Sequence, residues 1–338
     1  MMKIKINGKF YDFFNNIAII FKLDAIASTF SFVGRFDVNN SFHREIFRPL
    51  SYNEVEIFNS LGNLIFTGVI VNTSLGSSSN RTLQKISGYS KAGILEDCTI
   101  PYALYPLEKI KVSLDDVVSS IVSRYNLNYT VDSSVSNDMS LIYEKTVAQP
   151  SETIKSFIAK LAAQRNIILS HDEKGGLVFY RPDTKAKPKF FFTEENTLTM
   201  SLDINGQSIF SEISVIRQPS KSNSSLSPVD TIKNELVKYD RTIVKVMSSG
   251  EDTDTKKAAD NFLAEQLKSI SFKLSLNRII NLKCGDIVEV LNPEIYLFNR
   301  TRLIVSSYSI THDGNKESMN INLAIPETFT GESPVNIF

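Results

Sequence analysis

Polar and apolar positions alternate along most of this chain, and helical spacing appears in its middle and once more near Thr255. Lys3-Ile4-Lys5-Ile6 alternates and meets Asn7-Gly8, and Ile17 to Leu23 resumes the pattern. Phe30-Ser31-Phe32-Val33-Gly34-Arg35-Phe36-Asp37-Val38 sets Phe30, Phe32 and Phe36 toward one face. Val55-Glu56-Ile57, a turn at Asn59 to Asn63 and Leu64 to Val71 read as a hairpin, in which Gly68 marks a bulge or a close backbone approach. Thr82 to Tyr89 adds another strand. Short strands spaced by turn residues in this way predict a small barrel or sandwich.

Farther along, the period changes to 3.6. Ser113 stands as an N-cap with Asp116 three residues on, the capping-box spacing with a shorter acid. Leu114, Val117, Val118, Ile121, Val122 and Tyr125 then form one stripe, and Asp115 and Asp116 occupy the first turn, where the helix dipole favours acids. A second helix starting near Pro150-Ser151 turns Ile154, Phe157, Ile158 and Leu161 inward. Ile167 to Leu169 and Leu177 to Tyr180 read as a hairpin across Lys174-Gly175-Gly176. This stretch is expected to be a separate α/β unit.

From Thr199 alternation returns, with Met200 to Ile204, a turn at Asn205-Gly206 and Ile209 to Ile216. Gln218 to Pro228 is serine-rich. It reads as a loop, mobile in the isolated subunit, that buries too little apolar surface to offset ordering costs of about 1–2 kcal/mol per residue. A third helix near Thr255 to Lys268 gathers Ala258, Ala259, Phe262, Leu263 and Leu267 on one side, and strands continue to Ile325, before Pro326. One spelling occurs twice. Val288-Glu289-Val290 followed by Leu303 to Ile310 echoes Val55-Glu56-Ile57 followed by Leu64 to Val71. The gapless match sets Leu64 on Leu303 and Phe66 on Val305, and duplication would put the two segments in corresponding strands of two similar barrels.

Composition excludes more than it identifies. The 37 basic and 37 acidic residues cancel, without the basic excess that phosphate binding favours. Lys185-Ala186-Lys187-Pro188-Lys189 is a local basic run, read as a solvated loop. No stretch of about 18 apolar residues could span a bilayer as a helix. The start lacks the basic flank, long apolar core and small-residue cleavage site of a signal peptide, so the chain is expected to stay in the cytoplasm or leave it without a signal. Cys98 and Cys284 have no metal-type spacing and read as buried free thiols. Among the histidines His43, His171 and His312, the last two precede Asp172 and Asp313-Gly314 in turns and read as exposed polar residues rather than catalytic bases. The acidic pairs Asp115-Asp116 and Glu194-Glu195 read as a helix N-terminus and a solvated turn. The zinc-hydrolase, paired-cysteine, phosphate-loop and nucleophile-elbow motifs are all missing from the sequence. No catalytic, cofactor-binding or metal-binding residue is assigned, and no cofactor is expected. Tryptophan is absent, and the 22 phenylalanines mostly alternate with polar residues, as core packing requires.

The segment Gly88-Tyr89-Ser90-Lys91-Ala92-Gly93-Ile94-Leu95-Glu96-Asp97-Cys98 is more specific. A strand ending in Gly-x-Ser-Lys, then an apolar residue and Asp-Cys, resembles the baseplate hub proteins of contractile-tailed phages, most of all the Mu-type tail hub. That group is similar to the T4-type central hub and to the base of type VI secretion spikes. Phe30-Ser31-Phe32, Thr67-Gly68-Val69-Ile70, Ser214-Val215-Ile216-Arg217-Gln218, Asp240-Arg241, Gly285-Asp286-Ile287-Val288-Glu289-Val290 and Leu323-Ala324-Ile325-Pro326 agree in order, so the resemblance spans nearly the whole chain. The chain departs from it where the family often carries tryptophan, near the start and at Asn281-Leu282-Lys283-Cys284.

The resemblance implies a mainly β protein with an α/β insert, in which two similar antiparallel β-barrel domains per subunit let a trimer form a ring. Expected boundaries are 1–98 for the first barrel and 99–198 for the α/β domain, joined by 230–270. The second barrel is expected from 199–229 and 271–328, with 329–338 as a tail. It also implies a non-enzymatic homotrimer in the virion, assembled in the host cytoplasm. Its partners would be a central spike, a tail tube protein, a tape-measure protein and baseplate wedge proteins. Neither a membrane nor sequence-specific nucleic acid is a partner, although DNA would traverse the channel. An OB-like module for glycan or oligonucleotide, and an enzyme with an unrecognised site, are the alternatives.

Overall fold

The fold is described from a computed structural model covering residues 2–77, 83–217, 229–247, 255–314, 316–330, 332 and 334–338. The serine-rich stretch Gln218 to Pro228 lies outside the described residues. The chain divides into two units, one of Met1–Arg181, Asn277–Ile280 and Ser307–Met319, the other of Pro182–Leu276, Asn281–Ser306 and Asn320–Phe338.

The first unit opens with β1 (Lys3–Ile6), β2 (Lys9–Tyr11), β3 (Phe14–Lys22) and β4 (Thr29–Arg35), a short helix α1 (Ser41–Ile46), then β5 (Glu54–Phe58), β6 (Leu64–Leu75) and β7 (Leu83–Ser90). β1 and β2 turn at Asn7 and Gly8, both at positive φ (50° and 77°), the backbone that tight hairpins demand and these residues tolerate. In the β5–β6 turn Gly62 sits at φ 85° and the Asn59 carboxamide accepts from the Leu61 and Asn63 amides. The strand order is β3-β4-β7-β6-β5-β1-β2, all antiparallel. Every second side chain turns inward as alternation predicts: Ile17 and Ile19, Phe30 and Phe32, Val55 and Ile57, Phe66 and Ile86 are all buried. Sequence pattern misses α1, which is too short to show a period; Asn40 caps it, accepting from the Phe42 and His43 amides.

The same unit continues through α2 (Ile94–Asp97), β8 (Glu108–Ser113), α3 (Leu114–Val122), β9 (Tyr129–Val131), α4 (Ser136–Ser140), β10 (Ile142–Val147), α5 (Ile154–Ala163), β11 (Ile168–His171) and β12 (Leu177–Tyr180). The predicted capping box forms: Ser113 Oγ accepts from the Asp116 amide at 3.1 Å and the Asp116 carboxylate from the Ser113 amide at 2.9 Å. The α3 stripe and the α5 stripe meet in one core with Leu169, Leu177 and Phe179. Burying each such aliphatic side chain contributes about 1.5–3 kcal/mol. β8 pairs with β10, while β12 lies between antiparallel β11 and parallel β9.

The second unit carries β13 (Phe191–Phe192), β14 (Thr199–Ile204), β15 (Glu212–Arg217), β16 (Val229–Lys233), β17 (Thr242–Met247), α6 (Thr255–Leu267), β18 (Ile270–Leu276) and β19 (Ile287–Asn292). The long strands β20 (Leu297–Asp313) and β21 (Lys316–Ala324) follow, each contributing residues to both units. The expected boundaries need three corrections. Asn205-Gly206 does not close a hairpin, because β14 pairs with β18 in the register Thr199↔Ser275 to Ile204↔Ile270. β15 instead forms a separate sheet, β16-β15-β17, and Ile213 and Val215 pack under Ala258, Ala259 and Leu263 of α6. The alanines leave room for the helix to approach the strands. Finally, among the described residues none of 230–270 joins the core of the α/β domain, and 182–198 falls in the second unit.

The duplicated spelling has a counterpart in topology. The order β3-β4-β7-β6-β5 is repeated as β14-β18-β21-β20-β19. Leu64 to Val71 and Leu303 to Ile310 therefore lie on corresponding strands, but not in the gapless register. Val55 faces Gly68 and Val288 faces Leu303, so matching Val55 with Val288 sets Gly68 on Leu303, four residues from the sequence match. In this register Phe66, Gly68 and Ile70 fall on Thr301, Leu303 and Val305, and all six are buried. An even slip keeps the same face inward, which is why alternation alone cannot detect it.

Candidate functional site at the Gly88 to Cys98 joint

The hub-like segment Gly88 to Cys98 is the covalent link from the first barrel to the α/β domain, and nearly every residue in it has a geometric task. A Cβ on Gly88 would lie 1.8 Å from the Val69 carbonyl oxygen, and one on Gly68 would lie 2.1 Å from that of Tyr89, so β6 and β7 approach each other through a pair of glycines. A Cβ on Gly93 would lie 2.4 Å from the Tyr89 ring, which rests on that bare backbone. The Tyr89 hydroxyl donates to the Asp97 carboxylate at 2.6 Å. Burial, then this hydrogen bond, raise the phenol's pKa above its usual range. Ser90 is fully buried: its hydroxyl donates to the Ile26 carbonyl at 3.1 Å and accepts from the Ser28 amide at 3.2 Å. Lys91 is ion-paired with Glu54, and Ala92 and Leu95 join the α/β core. Cys98 and Ile154 share a backbone hydrogen bond at the entry to α5.

His171 and His312 depart from expectation. His171 ends β11 and is half-buried, not exposed. Its Nδ1 lies 2.9 Å from the Asp172 carbonyl, which can only accept, so Nδ1 carries the hydrogen and Nε2 accepts from the Ser28 hydroxyl at 2.6 Å. Burial lowers its pKa. The Asp172 carboxylate is occupied by the turn, accepting from the Lys174 and Gly176 amides. His312 is buried, with Nδ1 3.6 Å from Glu317. His43 is buried against Tyr11, Phe13 and Phe47, and its Nδ1 accepts from the Asp37 amide. Long-range contacts bury these rings, and neighbours in sequence do not reveal them.

The other candidates take structural places. Asp116 caps α3 and Asp115 accepts from the Tyr129 hydroxyl at 2.9 Å, while Glu194 and Glu195 are exposed in a single turn. Cys98 and Cys284 are half-buried rather than buried. The basic run is a clamped loop: Arg302 donates to the Thr184 and Ala186 carbonyls at 3.0 and 2.7 Å, and Lys189 pairs with Asp286 at 2.7 Å. Among the described residues no cluster of potential metal ligands occurs, and no helix is long and apolar enough to cross a membrane. A groove of about 540 Å³ on the outer face of β3, β4, β7 and β6 is lined by Ile20, Ser31, Lys85, Ser87, Tyr89 and Asp97, among others. It adjoins the joint, and its Asp97 carboxylate is taken up by the Tyr89 hydroxyl.

Residues 92–181 match the family described as baseplate hub protein gp44-like, second domain. The 43 kDa tail protein of prophage MuSo2 from Shewanella oneidensis has the same fold, with a TM-score of 0.82 at 17% identity over 97% of this chain and 99% of that one. A tail protein from Neisseria meningitidis gives 0.79 at 16% identity, with 98% of each chain covered. A component of the E. coli type VI secretion system, described as similar to the T4 bacteriophage tail proteins gp27 and gp5, gives 0.57 at 11% identity over 99% of this chain and 80% of that one. No curated protein sequence matches. The resemblance to baseplate hub proteins is thereby borne out, and the fold is that of hub-like phage tail proteins, mainly antiparallel β.

Proposed function

We propose that this hub-like tail protein is the structural baseplate hub of a phage or phage-like contractile tail. In this reading it is a homotrimeric adaptor that joins a three-fold central spike to a six-fold tail tube during assembly and genome ejection. The observation that carries the reading is the repeated strand order β3-β4-β7-β6-β5 and β14-β18-β21-β20-β19. Three copies of a chain carrying this strand order twice offer six similar surfaces, the number a six-fold partner requires, while remaining three-fold toward the spike. Residues 1–98 supply one ring-forming barrel, and Thr199–Ile204 with 271–328 supply the other. The match of residues 92–181 to a hub second domain supports the same role. Tape-measure and wedge proteins are further partners, the virion is the place of action, and no catalysis is involved. Mass photometry of the purified chain at micromolar concentration, alone and with the spike, tests the proposal. A trimer in either condition is expected, and a strict monomer in both overturns it.

A further inference from the structure

We propose that His171 is the centre of a pH-sensitive latch that holds the β11–β12 hairpin of the α/β domain against the first barrel. Apart from the covalent joint, the hairpin meets the barrel through part-buried polar contacts. Thr67 Oγ1 donates to the Glu173 carbonyl at 2.8 Å, the Tyr180 hydroxyl to the Leu23 carbonyl at 3.4 Å, and the Ser28 hydroxyl to His171 Nε2 at 2.6 Å. Thr67 and Ser28 are buried, and Phe66 meets the imidazole edge-on at 6.5 Å between ring centres. Gly175 brings the hairpin tip so close that an added Cβ would lie 2.9 Å from the Thr67 carbonyl oxygen.

A second proton on this ring would place a hydrogen on Nε2, where the Ser28 hydroxyl now donates. That hydroxyl would have to rotate and find another acceptor. The nearby Ser90 Oγ already accepts from the Ser28 amide and gives its own hydrogen to Ile26. The cation would also lie among buried groups. The charges facing it are Asp172 and Glu173 of its own hairpin, which favour the proton, but burial outweighs them. From the barrel it meets Ser28 and Phe66, which are uncharged, and Lys91 beside the Gly175 tip is paired with Glu54.

The sign follows. Docked, the ring stays neutral below its ordinary pKa; released, it takes a proton near pH 6.5. Docking is therefore complete above about pH 6.5 and weakens as pH falls through that value, by up to about tenfold per pH unit until the docked pKa is passed.

Hydrogen exchange of the full chain at pH 7.5 and 5.5, corrected for intrinsic rates, is the test. Peptides covering 168–180 and 23–30 should gain exchange by about tenfold at pH 5.5 relative to those covering α3. In His171→Gln, which cannot titrate, that difference should vanish. No gain in the wild type, or an equal gain in the variant, overturns the latch. Should the variant fail to fold, nitrogen NMR of the wild-type imidazole decides. A neutral ring protonated at Nδ1 that titrates below pH 6.5 upholds the proposal, and titration at the ordinary value overturns it.

Discussion

At the scale of single residues, Gln84 is the clearest anomaly. It is buried on β7 opposite Gly34, and neither its amide nitrogen nor its carbonyl oxygen has a hydrogen-bond partner among the described residues. A buried amide without partners forfeits about 1–3 kcal/mol. Gln84→Leu keeps the volume and removes the debt, so urea denaturation should show stability raised by about that amount; a fall would contradict the unpaired buried amide. Gly88 makes the opposite case. With the Val69 oxygen 1.8 Å from a built Cβ, Gly88→Ala should destabilise by about 3 kcal/mol or prevent folding. Wild-type stability in that variant would contradict the close approach. The segment was conspicuous in sequence, but its reason was not, because the crowding comes from a strand some twenty residues upstream.

Among elements, α3 is the best specified locally, since stripe, cap and first-turn acids agree. Ser113→Ala should cost about 1 kcal/mol, measurable in urea, and in a double-mutant cycle with Asp116→Ala the two changes should be less than additive. Additivity would mean that the reciprocal hydrogen bonds contribute nothing to stability. α3 and α5 were legible because period and cap lie within one short window. The fate of β15 was not. Ile213 and Val215 alternate as they would in a barrel strand, and only the arrival of α6 more than forty residues later assigns them to another sheet. The burial of His171 is hidden from the sequence for the same reason, because its partner Ser28 is 143 residues away.

For the whole molecule, the repeat was legible in kind and wrong in register. Asn59 to Asn63 closes the β5–β6 turn tightly, whereas the β19–β20 connection runs through a short helical turn at Pro293–Ile295, and a gapless comparison cannot register that difference. Acid sensitivity belongs to this scale as well. Burial lowers the pKa of both His43 and His171. The unfolded chain thus binds more protons, and stability rises with pH. The contribution is complete above about pH 6.5 and declines as pH falls through it to the folded values. The urea midpoint should be lower at pH 5.5 than at 7.5, and an unchanged midpoint would refute the assignment of neutral buried rings.

One connection in the repeated order has a consequence for how such chains can change length. In the first copy β3 passes to β4 through Leu23 to Ser28; in the second, among the described residues, β14 reaches β18 after β15, β16, β17 and α6. Yet the excursion leaves and returns at neighbouring residues: Ile204 pairs with Ile270, and the Asn205 amide donates to the Ser269 carbonyl at 2.9 Å. Residues 205–269 are thus a cassette on a two-pin socket. Replacing them with Asn-Gly should leave a β14–β18 hairpin, and circular dichroism of the shortened chain should keep its strand signal while losing helix. A chain built this way can acquire, exchange or discard a lobe without shifting any strand pairing beyond the socket.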